Sequence, residues 1–230
     1  MEAKLGKITI QGNKYYSNEF LNWHLEPVAE EEFPDRHLMQ RQLLLLNEFP
    51  DLEVTSVVEA GEEPNTVDLV LDVTDEQPTH FSLDYNNFGS RFNGRNRIGA
   101  TLDFGNFSGN GDRLTLRGLQ SLADRGVTVG TANYSVPISN SGTKANLLIS
   151  NAAFATGREL EILDIRGEAL VAGAFVTHPF IRTPNWNLDF NGGFIYQNID
   201  NFILDQTASR DRLRELVLGV STDWSDSRGR

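Results

Sequence analysis

The sequence predicts an α+β unit of order β-α-α-β-β followed by an all-β antiparallel array of long strands suited to a lipid bilayer. Three observations carry this. The charge breaks once: residues 1–78 hold 5 Lys+Arg against 17 Asp+Glu, whereas residues 79–230 hold 15 of each. Helical spacing of apolar residues is confined to the first stretch, and two-residue alternation rules the second. The alternating segments mostly reach the ~9–11 residues that a tilted strand needs to cross a bilayer, against ~5–6 for ordinary strands. The boundary is placed at Pro78, giving regions 1–78 and 79–230.

In the first region, Leu5 to Ile10 alternates apolar with polar or small and meets the turn pair Gly12-Asn13, which predicts a strand. Ser17 caps a helix that carries Phe20, Leu21 and Leu25 toward a core, with Pro27 and the acidic run Glu30–Glu32 as its stop. Asp35 caps a second helix with Leu38, Met39, Leu43 and Leu46 at helical spacing, closed by Asn47 and Pro50. Two strands follow, Leu52 to Val58 and Val67 to Val73, joined by a turn from Gly61 to Asn65. A mixed three-stranded sheet backed by two helices buries these faces, and its edges remain open to a partner strand.

Beyond Pro78, eight strands are expected: 80–87, 96–106, 113–122, 127–136, 143–153, 162–177, 185–199 and 212–224. The clearest is 185–196, where Trp186, Leu188, Phe190, Phe194 and Tyr196 share one face. Asn185, Asn187, Asp189, Asn191 and Gly193 share the other. Segment 163–175 sets Leu163, Ile165, Ala169, Val171 and Phe175 against Asp164, Arg166 and Glu168. Connections at 108–112, 137–142 and 182–184 read as tight turns, and those at 88–95, 154–161 and 200–211 as longer polar loops, with 123–126 a short exception. Tight turns at one end and long loops at the other mark an outer-membrane barrel. Alternation with lipid on one side and water on the other accounts for a mean hydropathy of −0.35 in a membrane protein. Trp186, Tyr196 and Trp224 suit interfacial anchoring. On pattern alone a soluble β-barrel or sandwich remains the alternative, because alternation does not say which face meets solvent.

Composition excludes several classes. No stretch approaches the ~18 apolar residues of a spanning helix. The absence of Cys excludes disulfide staples and thiolate metal sites, and a net charge of −12 argues against a nucleic-acid partner. His24, His37, His80 and His178 lack metal-ligand spacing, no Ser sits in a nucleophile elbow, and Gly109-Asn110-Gly111 is a hairpin turn. No catalytic residue, cofactor or metal is expected. No signal peptide follows Met1, and the end at Trp224–Arg230 reads as a turn with no closing strand. A cytosolic protein or an internal piece of a longer precursor fits the start, and both ends look cut.

The ordered set of Asn47–Val54, Ala60–Leu69, Asp84–Arg91, Gly94-Arg95, Asn106–Asp112 and Tyr134–Pro137 resembles the two-partner secretion transporters. These form the haemolysin activation/secretion family of the broader Omp85 superfamily. The resemblance covers essentially the whole chain. It implies a periplasmic POTRA domain at 1–78, then about the first half of a sixteen-stranded outer-membrane barrel at 79–230, and hence a fragment. The implied activity is capture of an unfolded exoprotein by the POTRA domain and its export through the pore, with outer-membrane lipid as the surroundings. The edge strand Leu52, Glu53, Val54, Thr55, Ser56, Val57 and Val58 is the expected polypeptide-binding element. Asp164, Arg166 and Glu168 are the expected lumen charges, since Arg at mid-depth in lipid costs ~2–4 kcal/mol. The alternatives are an assembly or translocation factor of another Omp85 branch and a soluble β-rich binding module.

Overall fold

The computed structural model describes residues 4–33 and 35–225; residues 1–3 and 226–230, and with the latter most of the turn expected at 224–230, lie outside the described residues. The order is β1 (Lys4–Gln11), α1 (Asn18–Ala29), α2 (Arg36–Leu46), β2 (Leu52–Ala60), β3 (Thr66–Asp75), then eight strands. These are β4 (Thr79–Asn86), β5 (Arg97–Gly105), β6 (Arg113–Ser121), β7 (Val127–Pro137), β8 (Lys144–Ala155), β9 (Arg166–Arg182), β10 (Trp186–Ile203) and β11 (Gln206–Trp224).

The first sheet has the order β1-β3-β2, with β1 parallel and β2 antiparallel to β3. One face is covered by the helices. Phe20, Leu21 and Leu25 of α1 and Leu46 of α2 bury against Val54, Leu69, Leu71 and Val73 of the sheet. Ser17 accepts from the Phe20 N–H at 3.1 Å, and Asp35 accepts from the His37 N–H at 2.8 Å, so both expected caps are in place. Helix α1 runs on past Pro27 to Ala29. In the last turn a proline forfeits a single backbone bond, and the buried Val28 holds that turn on the core. The carboxylate of Asp75, itself buried, accepts from the N–H groups of Lys14, Tyr15 and Tyr16 at 2.7–3.0 Å. It ties the turn after β1 to the end of β3.

The second sheet runs β4 to β11 in sequence order, every neighbour antiparallel. Two expectations change. The loop expected at 200–211 is a two-residue turn at Leu204-Asp205, both in the left-handed region (φ 51° and 62°). Asp200, Asn201, Ser209 and Arg210 are ladder residues, and their polarity reports strands that outrun the apolar band, not a loop. The strand expected from 162 begins at Arg166, because Arg158–Leu163 forms a 3-10 turn that ends at Asp164 with φ 40°. Only two connections at that end remain long, 87–96 and 156–165.

Register settles which side chains share a face. Phe81, Leu102, Leu116, Ala132, Ile149, Ala172 and Tyr196 follow one another from β4 to β10 through paired positions, and Phe194, two residues from Tyr196 on the same face, pairs with Leu216 of β11. The opposite face carries Ser82, Thr101, Arg117, Thr131, Ser150, Val171, Gln197 and Leu213. On β8, Leu147 and Ile149 are 55% and 53% exposed on the apolar face, whereas Leu148 and Ser150 on the polar face are half-buried. That asymmetry is what a sheet curled around its polar side produces. Trp186 and Tyr196 bound the apolar band on β10; the ten residue steps between them make about 33 Å of strand, or about 25 Å of height at a tilt near 40°.

Candidate functional site

Two features built by this fold can handle a polypeptide: an open sheet edge and a polar strand-lined surface beyond it. The open edge is β2. It pairs with β3 on one side only, from Leu52↔Asp75 to Ala60↔Val67. Leu52 and Val54 are buried beneath the helices, while Glu53 and Thr55 face out. Farther along, Ser56 is half-buried and Val57 and Val58 are 46% and 52% exposed on opposite faces. The last half of β2 therefore presents backbone groups and apolar side chains together. The other edge, β1, is partly covered, since the Leu5 N–H donates to the Glu32 carbonyl at 3.1 Å, and its register with β3 shifts between Leu5 and Ile8.

The first sheet's helices dock on the tight-turn end of the second sheet. Leu45 is buried away from the main core, and a Cβ placed on Gly142 would meet it and Pro179. Arg41 donates through Nη2 to the carbonyls of Ser141, at 3.1 Å, and Pro179. Its guanidinium is pulled below the ordinary arginine range, first by burial and then by the nearby charge of Arg182. Gln42, with its amide oriented to donate, reaches the carbonyls of Asn140 and His24 at 3.1 Å each. Glu48 accepts from Lys144 at 2.9 Å and forms an ion pair with Arg182 at 2.7 Å, and Arg182 also holds Asp189 at 2.9 Å. Gly111 has φ +69° and sits against the rings of Phe20 and Phe49, where a Cβ would collide with both. This chain of contacts places the open edge of β2 on a unit fixed at the sheet's turn end.

The polar face carries its own network. Arg113 pairs with Asp103 through Nε at 2.9 Å, Thr115 donates to Asp103 at 2.9 Å, and Arg117 lies 3.6 Å from Asp84. A row of hydrogen bonds crosses four strands: Asn146 to Thr177, Thr177 to Asn191 at 2.9 Å, and Asn191 to Ser221 at 3.3 Å. Arg113, Thr115 and Arg117 were legible as alternation with Leu114 and Leu116, but the short segment offered no clue to their partners.

The three expected lumen charges lie elsewhere. Asp164 is outside the strand and caps the 3-10 turn, pairing with Arg125 and with Arg166 at 3.1 Å. Arg166 opens β9 at the rim, between Asp164 and Asp205. Glu168 lies opposite Ala153 and Asp200, in line with Leu170, Ala172 and Ala174, hence on the apolar face above the band. Ala169, Val171 and Phe175, expected on the lipid side, share the polar face with Gln197 and Asn191. Strand β9 is small and apolar on both sides, so its own parity decides nothing and its neighbours' register does. Among the described residues no cluster of three or more His, Asp or Glu is placed to hold a metal ion. No described helix is long and apolar enough to cross a membrane.

Residues 65–227 match the family described as haemolysin secretion/activation protein ShlB/FhaC/HecB. The heme/hemopexin transporter protein HuxB of Haemophilus influenzae is 24% identical over 227 residues, covering 98% of this chain and 40% of that protein. CdiB from Escherichia coli superposes with a TM-score of 0.84 at 18% identity, over 99% of this chain and 43% of that one. CdiB from Acinetobacter baumannii gives 0.76 at 16%, over 98% and 44%. BamA from Haemophilus ducreyi lacking POTRA domains 1–3 gives 0.62 at 13%, over 99% and 45%. The chain therefore spans about two-fifths of the length of the relatives it matches.

Proposed function

The chain belongs to the haemolysin secretion/activation protein family, and from that premise we propose that it is part of an outer-membrane two-partner secretion transporter. In this reading residues 1–78 are a periplasmic POTRA domain and residues 79–230 the first half of the barrel. An unfolded exoprotein adds a strand to β2, where backbone N–H and C=O groups give affinity with little dependence on cargo sequence. The exposed Val57 and Val58 give it apolar footholds on both faces of the strand. The segment then passes along the polar face, where Asp84, Asp103, Arg113 and Arg117 are held in pairs, so that a moving chain meets polar groups without meeting a single strong trap. The apolar face contacts hydrocarbon.

The observation that carries the reading is the open β2 edge, held at the turn end of an amphipathic sheet whose family is one of secretion proteins. A photo-reactive residue at Val57, in the intact transporter co-expressed with its exoprotein, tests it. The expected result is a crosslink to the exoprotein from position 57 and none from Thr9 on β1. Equal capture at both positions, or none at 57 while secretion proceeds, overturns the edge assignment.

A further inference from the structure

Strand β11 carries three arginines on its apolar face, directly above the hydrophobic band. Leu216, Leu218 and Val220 make that band, paired with Phe194, Gly192 and Phe190. Continuing toward the Leu204-Asp205 turn, the same face presents Arg214, Arg212 and Arg210, opposite Tyr196, Asn198 and Asp200. All three are exposed.

Toward β10, among the described residues, the charges are not balanced locally. Arg210 is spent on Asp200, Nε to Oδ1 at 2.6 Å. Glu168, the neighbouring carboxylate on this face, lies in that same row one strand farther on, about 10 Å from β11. The row of Arg212 holds Asn198 and Leu170, and the row of Arg214 holds Tyr196 and Ala172, so neither contains a carboxylate. Asp211 and Glu215, the acidic neighbours in sequence, point to the polar face, where Glu215 accepts from Gln197 at 3.0 Å. Two like charges two residues apart on one strand face repel. Arg214 lies level with the girdle residue Tyr196 and Arg212 one row beyond it toward solvent, the depth of lipid phosphates in the outer-membrane reading, and arginine matches phosphate with its planar fork of donors.

We propose that Arg212 and Arg214 hold the phosphate of a phosphorylated outer-leaflet lipid against β11. The inference rests on the outer-membrane reading, with the long-loop end facing out of the cell. The ligand is a lipid anion, because Leu216 and Phe194 directly below supply the surface its acyl chains would cover.

The test uses the intact transporter in detergent, with its unfolding temperature read from heat-modifiable gel mobility. Bis-phosphorylated lipid A, dephosphorylated lipid A and inorganic phosphate are added in turn. Only the phosphorylated lipid is expected to raise the temperature. R212Q/R214Q should cut that rise at least threefold, and R212K/R214K should keep most of it. Should the Gln pair fail to fold, the single variants R212Q and R214Q are compared by phosphorus assay of co-purified lipid, each expected to retain less than wild type. A rise equal for both lipids, an equal rise with inorganic phosphate, or one indifferent to the arginines overturns the proposal. A protein that stays soluble without detergent overturns the membrane reading instead.

Discussion

His24 shows how one enclosed ring makes the first unit sensitive to acid. Phe20, Trp23 and Phe49 surround it edge-on, with ring centroids at 4.6, 4.8 and 5.1 Å. Its Nδ1 lies 3.2 Å from the Phe20 carbonyl, so Nδ1 carries the proton, and Nε2 is buried without a partner. Burial drives its pKa from 6.5 down to about 4, with a small further push from Lys144. Between pH 6.5 and 4 the unfolded chain binds a proton that the folded chain refuses. Stability is therefore full above pH 6.5 and falls as pH drops toward 4, by about 3 kcal/mol in all. Unfolding midpoints of His24→Leu should fall less steeply over that window than those of wild type. Helical spacing places His24 in α1, but nothing in the sequence shows the rings or the docked turns that shut water out.

Helix α2 reaches two partners at once. Met39, Leu43 and Leu46 belong to the core, while Gln42 and Leu45 bury on another side against the turns at 138–143 and Pro179. This explains the unbroken run Leu43–Leu46, which a surface helix with one apolar stripe does not need. Leu45→Ala should weaken the docking by about 2–4 kcal/mol through the cavity it leaves. Hydrogen exchange should then speed up in α2 and the 138–143 turn and stay unchanged in β10 and β11. Uniform acceleration throughout would mean that Leu45 supports the whole fold, not the junction. Spacing finds Met39, Leu43 and Leu46; the second buried side depends on residues about 100 to 140 positions away, beyond the reach of local pattern.

Across the whole molecule one face is continuous and greasy while the other is polar and cross-linked by hydrogen bonds. If hydrocarbon meets the first and water the second, nitroxide labels should divide by parity within a single strand. Labels at Leu147 and Ile149 should respond to oxygen, which concentrates in lipid, and labels at Leu148 and Ser150 to a water-soluble nickel chelate. Adjacent positions with the same response would contradict the bilayer arrangement. The strands 97–104, 185–196 and 213–224 reveal their faces in sequence because most of their large apolar residues sit on one side, with Ile195, Leu213 and Val217 the exceptions. Strand β9 does not, since Ala169, Val171 and Gly173 alternate with Leu170, Ala172 and Ala174.

By itself the sequence determined the elements: caps, turns and periodicity are written within about ten residues, and so were the helices, most of the strands and the character of each region. Only the tertiary structure decided which edge stays open, which way β9 faces, and how Asp164, Arg166 and Glu168 leave the polar face for the rim and the apolar side. Those depend on register and docking, which are set by the partner strand and not by the residue's own neighbours.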